Sequence, residues 1–507
     1  MELRRHWLGK GNEHADSKRG AYAMDGTPPT TDTDSPREAC GVFGIYGRDL
    51  DVAKLTYFGL HALQHRGQES AGIASADGKQ MQVYRKMGLV SHVFSEEILE
   101  DLQGILAIGH TRYSTKGSSR EDNSQPIYVE GPLGPLALAH NGNLVNADQL
   151  LDDLEELGVR PKSSTDSEIA AWLIALAPGS TWPEKLQHTL PRLVGSYTFV
   201  MATTDQVLAA RDPLGNRPLC LGSVDDTWVV ASESCALNTV GAEFVREVEP
   251  GELVTVGEDG LRSYRMQPVQ KRAVCMFEFM YLARPDSYIE DTLLYHARRE
   301  MGRQLARERP TPGADLVMGV PECAIAAAQG YAEESGLPLR DGLVRNRYIH
   351  RTFIQPTDQL RREGVHMKYN TMPEVLEGQR VVVVDDSIVR GTNTLPIVKM
   401  LRQAGAEEVH VRIAAPPIRH PCFLGVDMPT RDEIIASAFQ SREEAEMAVG
   451  AAIQADSLGY LSIDGIVEAV DLPYNHFCLA CFNGDYPVPV QMEFDKLSLE
   501  QVRATVP

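Results

Sequence analysis

The spacing of apolar and polar positions changes character twice along the 507 residues. Residues 1–39 set few apolar groups among Thr, Asp, Gly and Pro. That is too little apolar surface to offset the entropy of ordering, so a disordered leader is expected. From Cys40 to about Pro268, short apolar runs alternate with turn signals: "CGVFGIYG", "SAGIASADG", "GILAIGHTRYST", "PLALAHNGNL", "GSYTFVMATTDQVLAARDPLG", "WVVASESCAL" and "GELVTVGEDG". Such runs predict strands of a β-rich domain. Helical spacing is confined mainly to Asp148–Leu157 and Ser167–Leu176. From about Lys271 strand and helix alternate. "ADLVMGVP" is followed by "ECAIAAAQGYAEESG", stopped by Gly336, and "RVVVVDDS" by "NTLPIVKMLRQAG", closed by Gly405; "EEVHVRIAAPP" is a further strand. This texture predicts a parallel sheet with ligands at the carboxyl ends of its strands. No fixed-period repeat is present, and a short tail begins at Pro487. The reading is thus a leader (1–39), a β-rich domain (40–268), an α/β domain (269–486) and a tail (487–507).

Bulk properties narrow the function. A chain this long exceeds one core, so two or three domains are expected. The net charge of -21 argues against nucleic-acid binding, because no basic excess exists to replace phosphate counterions. An anionic small substrate is still compatible, given local Arg, Lys and backbone N–H groups. Eight cysteines are too sparse for a disulfide scaffold and fit a reducing, cytoplasmic setting. "IAAWLIALA" from Ile169 is far too short to span a bilayer. The N-terminus lacks the apolar core of a secretory signal.

The most specific chemistry lies in "VVVVDDSIVRGTNT", Val381 to Thr394. Four valines predict a strand buried on both faces. Its end carries Asp385 and Asp386, then small polar residues open a helix. A helix N-terminus offers unpaired N–H groups to an anion. Gly391 permits close approach of the backbone, and Ser387, Thr392 and Thr394 add hydroxyl donors. The two carboxylates would repel a phosphate and should face ribose hydroxyls or Mg²⁺. Neither a Walker loop nor a dinucleotide fingerprint is present.

Cys40 marks the border between leader and first domain. A thiol at a freshly cut N-terminus has its own α-amine within reach, with an ordinary pKa of about 8, as a general base. Cleavage before Cys40 would be required, because an amide nitrogen is not a base. The bland alternative is a buried free cysteine in a strand.

Two resemblances follow from these motifs. "VVVVDDSIVRGTNT" resembles the 5-phosphoribosyl 1-pyrophosphate (PRPP) loop of phosphoribosyltransferases. "CGVFGI", "HALQHRGQESAGI", "GHTRYST", "HNGNLVN", "STDSE", "RDPLGNRPL" and "SESCAL", in that order, resemble class II, N-terminal-nucleophile glutamine amidotransferases. Together, from Cys40 to about Tyr486, the chain resembles the glutamine PRPP amidotransferase family, in its iron–sulfur, propeptide-bearing branch.

The resemblance implies an α+β N-terminal-nucleophile glutaminase domain of αββα layering, followed by an α/β type I phosphoribosyltransferase domain with a parallel sheet. It implies an enzyme that converts PRPP, glutamine and water to 5-phosphoribosylamine, glutamate and pyrophosphate, the first committed step of purine synthesis. Cys40 would attack the glutamine amide. Arg112 would hold the α-carboxylate and Asp166 the α-amine, while Asn141 and the Gly142 N–H would form the oxyanion hole. Taken singly, Asn141-Gly142 also reads as a turn, and Asp166 or Ser167 as a helix N-cap. Asp385, Asp386, Ser387, Arg390, Gly391, Thr392 and Thr394 would bind PRPP. "RNRYIHRTFIQP" resembles the lid over it, with Arg345, Arg347 and Arg351 neutralising pyrophosphate, and Lys368 lies downstream. A sealed passage would carry ammonia between the sites. A homotetramer inhibited by purine nucleotides is further implied.

"FCLACF" places Cys478 and Cys481 in a CxxC pair, which suggests redox or metal chemistry. Cys275 and Cys422 match cluster cysteines in the resembling branch. Four thiolates suit either a [4Fe–4S] cluster or tetrahedral zinc; the resemblance favours iron–sulfur. One cluster and one Mg²⁺ per subunit are expected, the Mg²⁺ on Asp385 and Asp386, with Cys323 as a further candidate ligand. Cys220, Cys235 and otherwise Cys323 read as ordinary thiols. The resembling family has PDSG or similar where this chain has Glu322-Cys323-Ala324, and glycine where it has His350. Asn393 and Pro396 also depart from the pattern. These departures leave two other readings open: a PRPP- or nucleotide-binding regulatory paralogue, or an amidotransferase of a specialised pathway.

Overall fold

A computed structural model of the chain describes residues 40–113, 120–225, 227–269, 271–346, 368–428 and 430–490. The predicted leader, most of the predicted tail (from 491) and most of the predicted lid, including Arg347, His350 and Arg351, lie outside the described residues.

The first half is four layers deep. One antiparallel sheet contains β1 (Gly41–Tyr46), β2 (Ser70–Ala76), β3 (Met81–Met87), β4 (Leu106–Arg112), β9 (Cys220–Val224), β10 (Thr227–Ala231) and β11 (Glu243–Glu247). Its order is β11-β9-β10-β1-β4-β2-β3. The second contains β5 (Ile127–Gly131), β6 (Gly134–Leu144), β7 (Gly195–Ala202), β8 (Val207–Arg211), β12 (Glu252–Gly257) and β13 (Gly260–Arg265), in the order β13-β12-β8-β7-β6-β5.

The layering follows from period-2 alternation within these strands. In β1, Val42 turns inward between the sheets with Ile108, Ala139, Val200 and Val230, while Phe43 and Ile45 face outward. The outward set meets the helix Val52–Ala62, through Ala53 and Leu60. On the far sheet, Leu138, Phe199 and Leu208 face the helices Ala147–Glu156 and Asp166–Leu176 instead. Strands covered on both faces carry apolar residues on both, which explains the near-continuous runs in the sequence.

The second half is built on four parallel strands, Leu316–Gly319, Arg380–Asp385, Glu408–Ile413 and Ser457–Tyr460, adjacent in that order. Val381 to Val384 are at most 2 % exposed, as their run predicts. The helix Ile325–Ser335 ends on Gly336 at φ 72°, the left-handed cap its position foretold. Pro396 sits in the first turn of the helix Thr394–Gln403, where a missing N–H breaks no intrahelical bond. The fourth strand and the helices Arg442–Ala452 and Ile463–Val470 around it were not anticipated. Ser457–Tyr460 gives little signal of its own, because it is four residues long and contains glycine.

Candidate active site

Cys40 lies directly before β1 and is 6 % exposed. Its thiol donates to the Tyr113 carbonyl at 3.3 Å and accepts from the Tyr113 N–H at 3.5 Å. Burial pushes the thiol pKa up, and the Tyr113 hydrogen bond and the Arg112 charge offset this only in part. A buried neutral thiol is a poor nucleophile, so the site needs a base. In the 507-residue chain the Cys40 nitrogen is an amide to Ala39 and cannot serve.

The predicted glutamine-side residues stand on neighbouring elements: a ring nitrogen of His110 on β4 meets the His140 carbonyl on β6 at 3.1 Å. Arg112 closes β4, opposite Ser70 of β2, and is buried with its Nη1 3.6 Å from Glu69. Asp166 opens its helix, but the cap is Thr165, whose hydroxyl accepts from the Glu168 N–H. Asp166 instead accepts the Leu144 N–H at 2.9 Å, which ties it to the end of β6. Asn141 and Gly142 stand within β6 rather than in a turn. Among the described residues, the amide nitrogen and oxygen of Asn141 are buried without a partner. Such atoms are costly unless something polar arrives to meet them. Gly142 has φ 148°, and a Cβ there would sit 2.2 Å from the Ser196 carbonyl oxygen. Only glycine lets β6 run this close to β7.

An ionic network behind Cys40 was not read from the sequence. Arg66 donates to the Cys40 carbonyl at 3.1 Å, to Glu233 at 2.6 Å and to Glu278 at 3.0 and 2.8 Å. Arg217 meets Glu278 at 3.2 Å from the other side. All four side chains are at most 1 % exposed. Burial alone would push Glu233 up, but His65 and Arg66 outweigh it and hold the carboxyl well below the usual range. Arg66, Glu233 and Arg217 stand inside quoted motifs, and Glu278 follows closely on Cys275. Only the fold shows that they meet. Arg66→Met should leave Glu233 and Glu278 buried with only His65 and Arg217 respectively to balance them, and cost about 3 kcal/mol. Urea titration against the parent protein checks this, and an unchanged midpoint would refute it.

The second cluster lies at the carboxyl ends of the parallel strands. Asp385 accepts the Asp386 N–H at 2.9 Å, and Asp386 accepts the Ser387 hydroxyl at 2.7 Å. Residues 386–393 form the loop, and Thr394, 4 % exposed, starts the helix. Thr392 is exposed, Gly391 packs beside Ile435, and Arg390 reaches towards Glu433 at 3.4 Å. A small cavity beside the loop is lined by Asp386, Cys323, Ala324, Arg298, Met280 and Met301, among others. Arg298 was also not read from the sequence. It is buried, and its guanidinium donates to the Phe279 and Ala283 carbonyls. Lys368 and Arg345 flank the undescribed segment: the Asn346 N–H donates to the Lys368 carbonyl, and Arg345 lies 3.9 Å from Glu322.

Cys275, Cys422, Cys478 and Cys481 line one further cavity, with Phe277, Phe423, Val426, Met428 and Tyr486 around them. Val274-Cys275 pairs in parallel register with Phe477-Cys478. The Arg419 and His420 N–H groups donate to the Cys481 carbonyl, which ties the Cys422 segment to the CxxC turn. Burial, then the neighbouring Cys275 thiolate, pushes Cys478 up to about 12. Four coupled thiols in an apolar shell form a donor set suited to a metal group that withdraws their protons. Among the described residues, no three His, Cys, Asp or Glu converge closely enough to hold a single metal ion.

Known proteins match this arrangement along most of the chain. Residues 110–239 match a family model described as a glutamine amidotransferase domain. An amidophosphoribosyltransferase from Synechocystis is 50 % identical over 93 % of this chain and 96 % of its own length. One from Bacillus subtilis is 46 % identical over 90 % of this chain and 95 % of its own. The chain belongs to the amidophosphoribosyltransferase family. The solved structure of the glutamine PRPP amidotransferase from B. subtilis, complexed with ADP and GMP, superposes with a TM-score of 0.83 at 45 % identity. It covers 90 % of this chain and 99 % of its own. A structure described as the allosteric regulatory enzyme of purine biosynthesis superposes with a TM-score of 0.84. It covers 89 % of this chain and 97 % of its own, at 45 % identity.

The four-layer half is therefore an N-terminal-nucleophile glutaminase fold, and the parallel-sheet half is a phosphoribosyltransferase fold. The amidotransferase is an enzyme, and the expectation of its class holds. Among its described residues no helix is long and apolar enough to cross a membrane.

Proposed function

We propose that the two clusters divide one reaction: Cys40 frees the amide nitrogen of glutamine, and the 385–394 loop presents PRPP to receive it. The products are 5-phosphoribosylamine, glutamate and pyrophosphate, which begin purine synthesis. The observation that carries this is the gathering of Cys40, Arg112, Asp166 and the unpartnered Asn141 amide at adjoining strand ends.

Cleavage before Cys40 frees an α-amine, which takes the thiol proton. The thiolate attacks the glutamine amide carbon. Arg112 binds the substrate carboxylate and Asp166 its ammonium. Asn141 and the Gly142 N–H receive the oxyanion that develops. Ammonia leaves, and water hydrolyses the thioester to glutamate. In the other half, Asp385 and Asp386 hold the ribose hydroxyls, and Ser387, Arg390, Gly391, Thr392 and Thr394 hold the 5′-phosphate. Ammonia displaces pyrophosphate from C1. Arg345, Arg347, Arg351 and Lys368 stabilise the departing charge, and the lid keeps water out. The hard oxygens of Asp385 and Asp386 suit Mg²⁺, whereas the thiol of Cys323 is a soft donor. When bound, Mg²⁺ supplies charge neutralisation at the pyrophosphate.

The test is pyrophosphate release from PRPP, with glutamine or ammonia as nitrogen source. Release with both is expected; PRPP binding without release would support a regulatory paralogue instead. Cys275, Cys422, Cys478 and Cys481 would hold a [4Fe–4S] cluster that ties the C-terminal segment to the second domain. Protein purified without oxygen should carry about four irons per chain with a broad visible absorption. Colourless protein containing zinc would defeat the cluster. A cytoplasmic homotetramer inhibited by purine nucleotides completes the reading; the relative crystallised with ADP and GMP supports the nucleotide part.

A further inference from the structure

Phe423, Leu424 and Gly425 follow Cys422 in the second half of the chain, yet their backbone lies against the oxyanion strand of the first half. Asn143 of β6 donates to the Phe423 carbonyl at 2.9 Å. Ser196 of β7, directly opposite Asn143 in the sheet register, donates to the Leu424 carbonyl at 2.7 Å. Arg217 donates to the same carbonyl at 2.7 Å, so Leu424 O accepts two buried bonds. The Leu424 N–H in turn donates to the Cys422 sulfur at 3.3 Å.

Gly425 is the point of closest approach. It has φ 97°, and a Cβ there would lie 2.8 Å from the Gly142 carbonyl carbon and 3.0 Å from its Cα. Gly142 is thus held between two surfaces. A Cβ at Gly142 would meet the Ser196 backbone of β7, and a Cβ at Gly425 would meet the Gly142 backbone.

We propose that the Phe423–Gly425 strap is a positioning element for the oxyanion hole. It fixes where the Gly142 N–H and the neighbouring Asn141 amide point, and it makes the glutaminase geometry depend on a segment of the transferase half. The inference rests on the reading of Asn141 and Gly142 as oxyanion donors. A donor that stabilises charge only in the transition state acts on kcat, and a displacement of about 1 Å costs on the order of 10²-fold. Arg112 lies on β4 and Asp166 opens its own helix, touching β6 only through the Leu144 N–H, so KM should move much less than kcat.

The experiment compares Gly425→Ala, Ser196→Ala and Asn141→Ala in the full-length enzyme. Gly425→Ala forces the strap and Gly142 apart; Ser196→Ala loosens the strap without adding bulk and guards against misfolding of the first variant. Glutaminase kcat should fall about 10-fold or more in Gly425→Ala and about 3-fold or more in Ser196→Ala. KM for glutamine should stay within about 2-fold, and ammonia-supported product formation and Cys40 alkylation by iodoacetamide should match wild type. The strap is refuted if both variants fold and keep wild-type kcat, or if glutamine- and ammonia-supported rates fall in parallel. Asn141→Ala separates the two failures. If it too keeps full glutaminase activity, the oxyanion assignment itself is wrong; if it alone loses activity, only the strap is.

Discussion

Cys40→Ala should abolish glutamine-supported synthesis of phosphoribosylamine, by at least about 10³-fold, while ammonia-supported synthesis continues. On the proposed mechanism the loss is this large because the thiol would form the covalent bond that releases nitrogen. Burial pushes the thiol pKa up, so at neutral pH the unassisted group is protonated. On the proposed mechanism the base is the α-amine that cleavage before Cys40 would create. N-terminal sequencing of active protein should therefore begin at Cys40. Steady-state assays with each nitrogen source check the variant. Equal loss with ammonia would show that the thiol serves the transfer half as well.

Asp386→Asn should produce the complementary pattern. Synthesis should fall by at least about 10²-fold with either nitrogen source, the scale on which one preorganised charged group acts. Basal release of glutamate from glutamine should stay at the wild-type level. The substitution keeps size and hydrogen-bonding capacity but removes the charge that would face ribose hydroxyls and Mg²⁺. Asp386 already accepts the Ser387 hydroxyl, and it lines the cavity shared with Arg298 and Cys323. Wild-type synthesis by the variant would remove this carboxylate from the PRPP site.

Local patterns carried much of the architecture. The Val381–Val384 run, the apolar run of β1 and the Gly336 stop each have a short-range cause: burial on both faces of a strand for the first two, and a left-handed cap for the third. The strand Ser457–Tyr460 had no such signal, because four residues with one glycine carry little alternation. The motifs around Cys40, Arg112, Asn141 and Asp166 were legible because several short stretches occur in one order. Their alternative roles were not separable from sequence. The structure assigns the cap to Thr165 and sets Asn141 and Gly142 within a strand.

What the chain decides by itself is the inventory: a border cysteine, a phosphate-loop strand and helix, four thiols, and the order in which they come. Proximity across long separations is what folding alone decides. Arg66 meets Glu278 from 212 residues away, and Ser196 meets Leu424 from 228. The physical reason is that a buried charge or a glycine contact is defined by what surrounds it. Those surroundings exist only once two independently patterned halves have closed on one another.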